Sequence, residues 1–121
     1  MIVLKIDPVA KPRMTRRDTW AHRPVVDKYF SFKDKLVILC KKDKFVLPDK
    51  YRVEFYIKMP SSWSVKRRCS MLDKPHQQKP DLDNLIKSVN DCLLKEDSTV
   101  WYVEAMKCWW EEGKIIIYTL K

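Results

Sequence analysis

The sequence predicts a small α/β (α+β) domain, with one mixed four-stranded sheet and two main helices in the order β-α-β-α-β-β. Three observations predict it. Apolar residues alternate with period two near the start and in the middle of the chain, two further apolar stretches near the end read as strands, and two stretches between them carry a helical period. At 121 residues the chain can close one core but not two, so residues 1–121 read as a single domain. Apolar residues at 45% fill that core and charged residues at 34% cover it, which excludes general disorder and a fibrous protein.

Ile2–Asp7 opens the sheet, with Ile2, Leu4 and Ile6 on one side. From Pro8 to Pro24, prolines and the cations Lys11, Arg13, Arg16, Arg17 and Arg23 make an extended basic loop. Asp27 to Lys42 is the first helix, with Tyr29, Phe32, Leu36, Leu39 and Cys40 at core-facing spacing. Pro48 and Asp49 then break the chain. In Tyr51–Met59, the residues Tyr51, Val53, Phe55, Ile57 and Met59 face one way, and Arg52, Glu54, Tyr56 and Lys58 the other.

Residues 60–80 are bounded by prolines, carry Lys66, Arg67, Arg68, Lys74 and Lys79, and leave room for two helical turns at Ser64–Met71. A connection this long in a compact domain is functional or disordered. Leu82, Leu85, Ile86, Val89, Cys92 and Leu93 mark a strongly amphipathic helix ending near Leu94. Val100–Trp110 is the third strand, and Glu111-Glu112-Gly113-Lys114 predicts a hairpin turn into Ile115–Leu120.

Gly113 is the single glycine, which excludes Gly-rich phosphate loops and dinucleotide-binding turns. No stretch is long and apolar enough for a membrane span or an export signal, since Met1–Leu4 is cut off at Lys5. Cys40, Cys69, Cys92 and Cys108 are too widely spaced for a zinc or redox motif, and are read as reduced thiols of a cytoplasmic protein.

The net charge of +9 is uneven. Residues 1–80 hold 20 Lys/Arg against 8 Asp/Glu, a net +12, and residues 81–121 hold 5 against 8, a net −3. A basic body with a local acidic cluster attracts a polyanion, most simply nucleic acid. The alternative is an ordinary solvated basic surface.

The acidic cluster centres on Asp81-Leu82-Asp83-Asn84, where Asp83, Asn84, Lys87 and Asp91 lie opposite the apolar stripe. A purely structural reading is available: Asp81 caps the helix, Asp83 sits at the positive end of the macrodipole, and Asp83–Lys87 is an i,i+4 pair. Glu96-Asp97 weighs against it, because a strand returning beside the helix brings Asp97 back to Asp81 and Asp83. Like charges 4 Å apart repel by about 1 kcal/mol in water and about 4 kcal/mol at an effective dielectric of 20. Three clustered carboxylates therefore ask for a cation, and oxygen ligands suit Mg²⁺ or Mn²⁺. A divalent ion on a basic surface suggests metal-assisted phosphodiester hydrolysis.

KPDLDNLIKSVNDCL followed by KEDSTV resembles the RusA family of Holliday junction resolvases, particularly its phage and prophage branch. The Asp-Leu-Asp-Asn-Leu-x-Lys core is complete at Asp81–Lys87, and residues 11–34, 59–68 and 74–81 look like the same branch. The resemblance implies a RusA-like homodimer that makes Mg²⁺-dependent paired nicks in four-way DNA during recombination and repair, in the cytoplasm of a bacterial or phage-infected cell. It implies no membrane and no small-molecule cofactor. By position, the essential aspartates fall on Asp81, Asp83 and Asp97, and the essential lysine on Lys87. Glu96 stands where a second Asp is often found, and the short helix-to-strand link makes the return distance to Asp97 the point to check.

On that resemblance Asp81, Asp83 and Asp97 hold the metal, and Lys87 offsets charge developing on the phosphate. Asn84 orients a carboxylate, contacts phosphate or stabilises the helix start. Asp91 supports the site or merely solvates the helix. Lys11, Arg13, Arg16, Arg17, Lys66, Arg67, Arg68 and Lys79 become DNA contacts. Trp20 and Trp63 stack on an exposed base or pack internally. Trp101 and Trp109 point one way from the third strand and Trp110 the other, into the core or a dimer interface, for which strands 100–120 are the candidate. Two alternatives stay open: a less selective branched-DNA nuclease, and a catalytically silent DNA-binding module.

Overall fold

The computed structural model describes residues 1–16 and 23–121. Four strands, β1 (Ile2–Leu4), β2 (Lys50–Lys58), β3 (Tyr102–Trp110) and β4 (Lys114–Thr119), form one mixed sheet in the spatial order β1-β4-β2-β3. Three helices accompany it: α1 (Pro24–Lys42), α2 (Val65–Met71) and α3 (Leu82–Leu93). Among the described residues no helix is long and apolar enough to cross a membrane. The predicted class and element order are those observed.

The last two strands correct the expectation of a hairpin. β4 does not pair with β3; it runs antiparallel to β2 and β1, while β3 runs parallel to the other side of β2. The chain leaving Trp110 passes the end of β2, which lies between the two strands. Gly113 is needed at this crossing. A Cβ there would lie 2.8 Å from the Asp7 Cα and 1.8 Å from its Oδ1, so the turn presses on the backbone that follows β1. Burial explains the central place of β4, because Ile115, Ile116 and Ile117 are all buried, on both faces of the sheet.

Other boundaries move for local reasons. β1 stops at Leu4, where the Ile6 amide turns back to the Leu4 carbonyl at 3.0 Å. α1 starts three residues before the predicted Asp27, with Pro24 in its first turn, where a missing N–H costs nothing. Its Val26, Tyr29, Phe32, Leu36 and Cys40 are buried. Tyr29, Phe32, Leu36 and Cys40 meet Tyr51, Val53 and Phe55 of β2, Ile115 and Ile117 of β4, and Leu85, Val89 and Cys92 of α3 in one core. The four cysteines are free thiols, with only Cys69 exposed.

Residues 60–80 are ordered against β3. The Ser64 hydroxyl accepts from the Arg67 amide at 3.2 Å and caps α2. Asp73, Lys74 and His76 then exchange backbone hydrogen bonds with Trp109 and Lys107, so this stretch covers the outer half of β3. Trp63 packs on Trp109 at 4.8 Å between centroids and His76 on the same ring at 4.3 Å, which assigns Trp63 to packing. Trp109 is buried, as expected of a core residue. Trp101 is not: it lies before β3, 67% exposed, because its amide bonds to the Asp49 carbonyl and the alternation of the strand does not reach it.

Candidate functional site

α3 is amphipathic, and its buried residues Leu85, Ser88, Val89 and Cys92 turn the charged stripe outward. Asp81 occupies the N-cap position with φ −69° and ψ 145°, yet its side chain makes no capping hydrogen bond. The structural role available to that carboxylate is therefore unused. Asp83, in the first turn, and Lys87, one turn on, are exposed. Among the described residues no salt bridge joins Asp83 to Lys87, so the simple i,i+4 pair is not formed. Two carboxylates at the positive end of a helix stand free of their own fold.

The approach to this helix end is pinned by a residue that the sequence patterns did not single out. Lys107 Nζ donates to the carbonyls of Gln78 at 2.5 Å and Pro80 at 2.7 Å. It holds the chain immediately before Asp81 against β3 and brings an ammonium beside it. A cation at an inward position of the alternation Val103, Ala105, Lys107, Trp109 was the available signal. His76, whose amide bonds the Lys107 carbonyl, is buried, and its Nδ1 has no partner among the described residues. Burial and the nearby Lys107 charge hold its pKa below the ordinary value of 6.5.

Along the outward face of α3 lies the basic loop. Lys11, Pro12, Arg13 and Met14 line a cleft of about 410 Å³ together with Asn84 and Lys87. Lys11 Nζ lies 2.6 Å from Asp91 Oδ2, and Arg23 Nη2 donates to the Arg13 carbonyl at 2.9 Å. The expected contacts Lys11 and Arg13 thus sit beside Asn84 and Lys87, while Asp91 has a partner and does not merely solvate the face. Arg16 is exposed further along the loop, and Arg17 and Trp20 fall outside the described residues.

The second basic stretch is elsewhere. Arg67 lies over the Trp63 ring at 4.1 Å. Arg68 lines another cleft, of about 480 Å³, with Lys58, Cys69, Glu111 and Glu112. Lys66 and Lys79 are exposed.

Asp97 does not return to Asp81 within one chain. It opens a 3-10 turn, Asp97–Thr99, four residues beyond the end of α3. From there the Trp101 amide bonds to Asp49 at the start of β2, whereas Asp81 lies by Lys107, well along β3. The 12 residues of α3 alone span about 18 Å at the usual helical rise. Glu96 serves its own turn, accepting from the Ser98 amide at 3.3 Å. Among the described residues no three His, Cys, Asp or Glu side chains lie close enough together to hold a metal ion. The expected return of Asp97 to Asp81 and Asp83 is not made inside one subunit, where Asp97 sits at the far end of the helix.

The pair still fits a hard divalent cation as a partial donor set: both groups supply oxygen, both are exposed, and the Asp81 carboxylate is not spent on capping its helix. Among curated proteins none matches the chain closely enough to count as a relative. The family model described as Endodeoxyribonuclease RusA matches residues 5–118, and so takes in the basic loop, α3, the acidic turn and all of β2, β3 and most of β4. Members of that family are nucleases that generally need a divalent metal. With 114 of its 121 residues (5 to 118 inclusive) under that model, and the Asp-Leu-Asp-Asn-Leu-x-Lys core displayed on one helix, the chain belongs to the RusA family of Holliday-junction-resolving endodeoxyribonucleases.

Proposed function

We propose that this protein is a Mg²⁺-dependent, homodimeric resolvase that makes paired nicks in four-way DNA, in the cytoplasm of a bacterial or phage-infected cell. The observation that carries the reading is the exposed carboxylate pair Asp81 and Asp83, on the same helix as a basic cleft lined by Lys11, Arg13 and Lys87. A bound divalent ion would supply charge neutralisation at the scissile phosphate and an acidified water. Asp81 and Asp83 hold that ion. Lys87 faces the cleft and offsets charge on the leaving oxygen. Arg13 and Asn84 orient the strand, Lys107 keeps Asp81 in place, and Arg16, Arg17, Lys66, Arg67, Arg68 and Lys79 serve as outer phosphate contacts.

A second copy supplies what one chain lacks. Lys107 and Trp109 turn their backbone groups outward to residues 73–76. By alternation Val103 and Ala105 also turn theirs outward, and among the described residues no strand meets them. An open half-edge of this kind is a template for another strand. Antiparallel pairing of the two open half-edges, centred near Glu104, sets residues 102–103 of one β3 opposite residues 105–106 of the other. That carries Asp97 of one subunit toward Asp81 and Asp83 of its partner, and makes two equivalent sites about a two-fold axis. Exposed Trp101 and Tyr102 flank the seam.

The test is cleavage of a labelled synthetic four-way junction beside a linear duplex, with Mg²⁺ or EDTA. Symmetric nicks in the junction alone, and only with metal, are expected. Equal cleavage of forks and flaps would reduce the reading to a general branched-DNA nuclease, and binding without cleavage in either Mg²⁺ or Mn²⁺ to a silent binding module.

A further inference from the structure

Lys11 and Asp91 form the closest ion pair among the described residues, at 2.6 Å, and their side chains are 30% and 18% exposed. They are 80 positions apart in sequence, so the contact is a tether between the basic loop and α3. Val9 and Ala10, just before Lys11, pack against the core, and the Arg13 carbonyl receives Arg23 from the start of α1. Attachments at both ends and in the middle of this short stretch set the path of the loop along α3, from Asp91 toward Lys87 and Asn84. The cleft lies between Lys11 and Arg13 of the loop and Asn84 and Lys87 of α3.

We infer that Asp91 is a positioning residue: through Lys11 it latches the loop against α3, so that Arg13, Asn84 and Lys87 form a ready-made seat for a DNA phosphate. Lys11 is then a latch and not a free phosphate contact. The inference deepens the nuclease reading and rests on it for the identity of the ligand. The physical reason is preorganisation. A loop already in its bound position gives up less conformational freedom when the strand arrives.

The latch makes a prediction whose sign differs from that of its rivals. Removing an acidic charge near a DNA path ordinarily tightens binding. Loss of the latch weakens it. The experiment measures binding of a synthetic four-way junction in EDTA, then steady-state cleavage in Mg²⁺, for Asp91→Asn, Lys11→Gln, the double variant and the swapped pair Lys11→Asp with Asp91→Lys. Since a partly exposed ion pair contributes little to stability, these chains fold. Each single change is expected to weaken binding about fivefold, with the loss in KM more than in kcat, as removal of one preorganising contact predicts. The double variant is no worse than either single one, because both remove the same contact. The swapped pair recovers most of the loss.

Lys11→Gln leaves the salt slope of binding unchanged, whereas Arg13→Gln lowers it by about 0.9, the value for one phosphate contact. Tighter binding by Asp91→Asn would overturn the latch. So would additive losses, or a fall in kcat with binding intact. Hydrogen exchange of residues 9–14 without DNA separates this from the nuclease reading. Exchange rises in Asp91→Asn and recovers in the swapped pair even if the wild-type chain cuts no junction. Unchanged exchange refutes the latch however active the enzyme proves.

Discussion

The two ends of α3 carry the same kind of residue and use it differently. At the C-terminal end Glu96 caps its own 3-10 turn and Asp97 begins that turn, so part of the acidity there is local structure. At the N-terminal end Asp81 holds the cap position without capping, and Asp83 stands exposed. The fold fixes the backbone at this end by other means, the two carbonyl contacts of Lys107. The difference teaches where to look for function among look-alike acidic residues: at carboxylates that the local structure does not employ.

The largest effect should come from the N-terminal end. Asp81→Asn or Asp83→Asn keeps size and removes charge, and should slow junction cleavage by on the order of a thousandfold or more, with binding in EDTA kept or tightened. Near-normal cleavage by either would break the comparison at its base. Asp97→Asn should be as damaging, if the partner's site depends on it. Mixing Asp83→Asn with Asp97→Asn then tests the two ends together. A heterodimer carries one site with both defects and one with neither, so nicking of a single strand should return in about half of the dimers. Sites built within one chain would stay dead in any mixture. Sedimentation at micromolar concentration should show twice the chain mass.

Lys107→Met should cost about tenfold in cleavage and less in binding, since it releases two carbonyls at the helix approach. Charge removal at Arg16 and Arg17 together, or across Lys66–Arg68, should weaken binding several-fold for any sequence and lower the salt slope by about 0.9 for each phosphate no longer neutralised. An unchanged slope would return either group to solvated surface. The smallest effect concerns His76. Its pKa is lowered on folding, so the unfolded chain takes up the proton first, and its contribution to stability is full above about 6.5 and lost as pH falls below it. Urea melts at two pH values should show a smaller acid loss in His76→Phe than in the wild-type chain.

Much of this was legible in the residues, and the exceptions share a cause. Alternation located β2 within one residue at each end, and the apolar stripe located α3, because both signals are local. Which strand lies beside which is not local. Glu111-Glu112-Gly113-Lys114 has the composition of a hairpin turn, yet the strands it joins are separated by β2. The run Ile115-Ile116-Ile117, apolar on both faces, was the sign that β4 belongs in the interior of the sheet. Asp81 and Asp83 were identifiable from their motif. The separation of Asp97 was not, since it depends on where the chain goes after α3. Lys107 showed only as a cation at an inward position of its strand's alternation, and its task stayed hidden until its carbonyl partners were known.

The position of β4 also bears on how the chain comes together. β1 has its sheet neighbour in residues 115–117, more than a hundred positions away, and β2 needs the same strand on one side. A nascent chain emerging from the ribosome therefore cannot assemble this sheet progressively. The first strand waits unpaired until the last one is made, and the basic loop and α3 have no finished scaffold to rest on before then. Such high contact order slows folding, and it couples the appearance of the nuclease site to the synthesis of β4. A fragment truncated before Lys114 would lose the interior of the sheet, and would expose DNA to a basic, unfolded chain with no assembled cutting site.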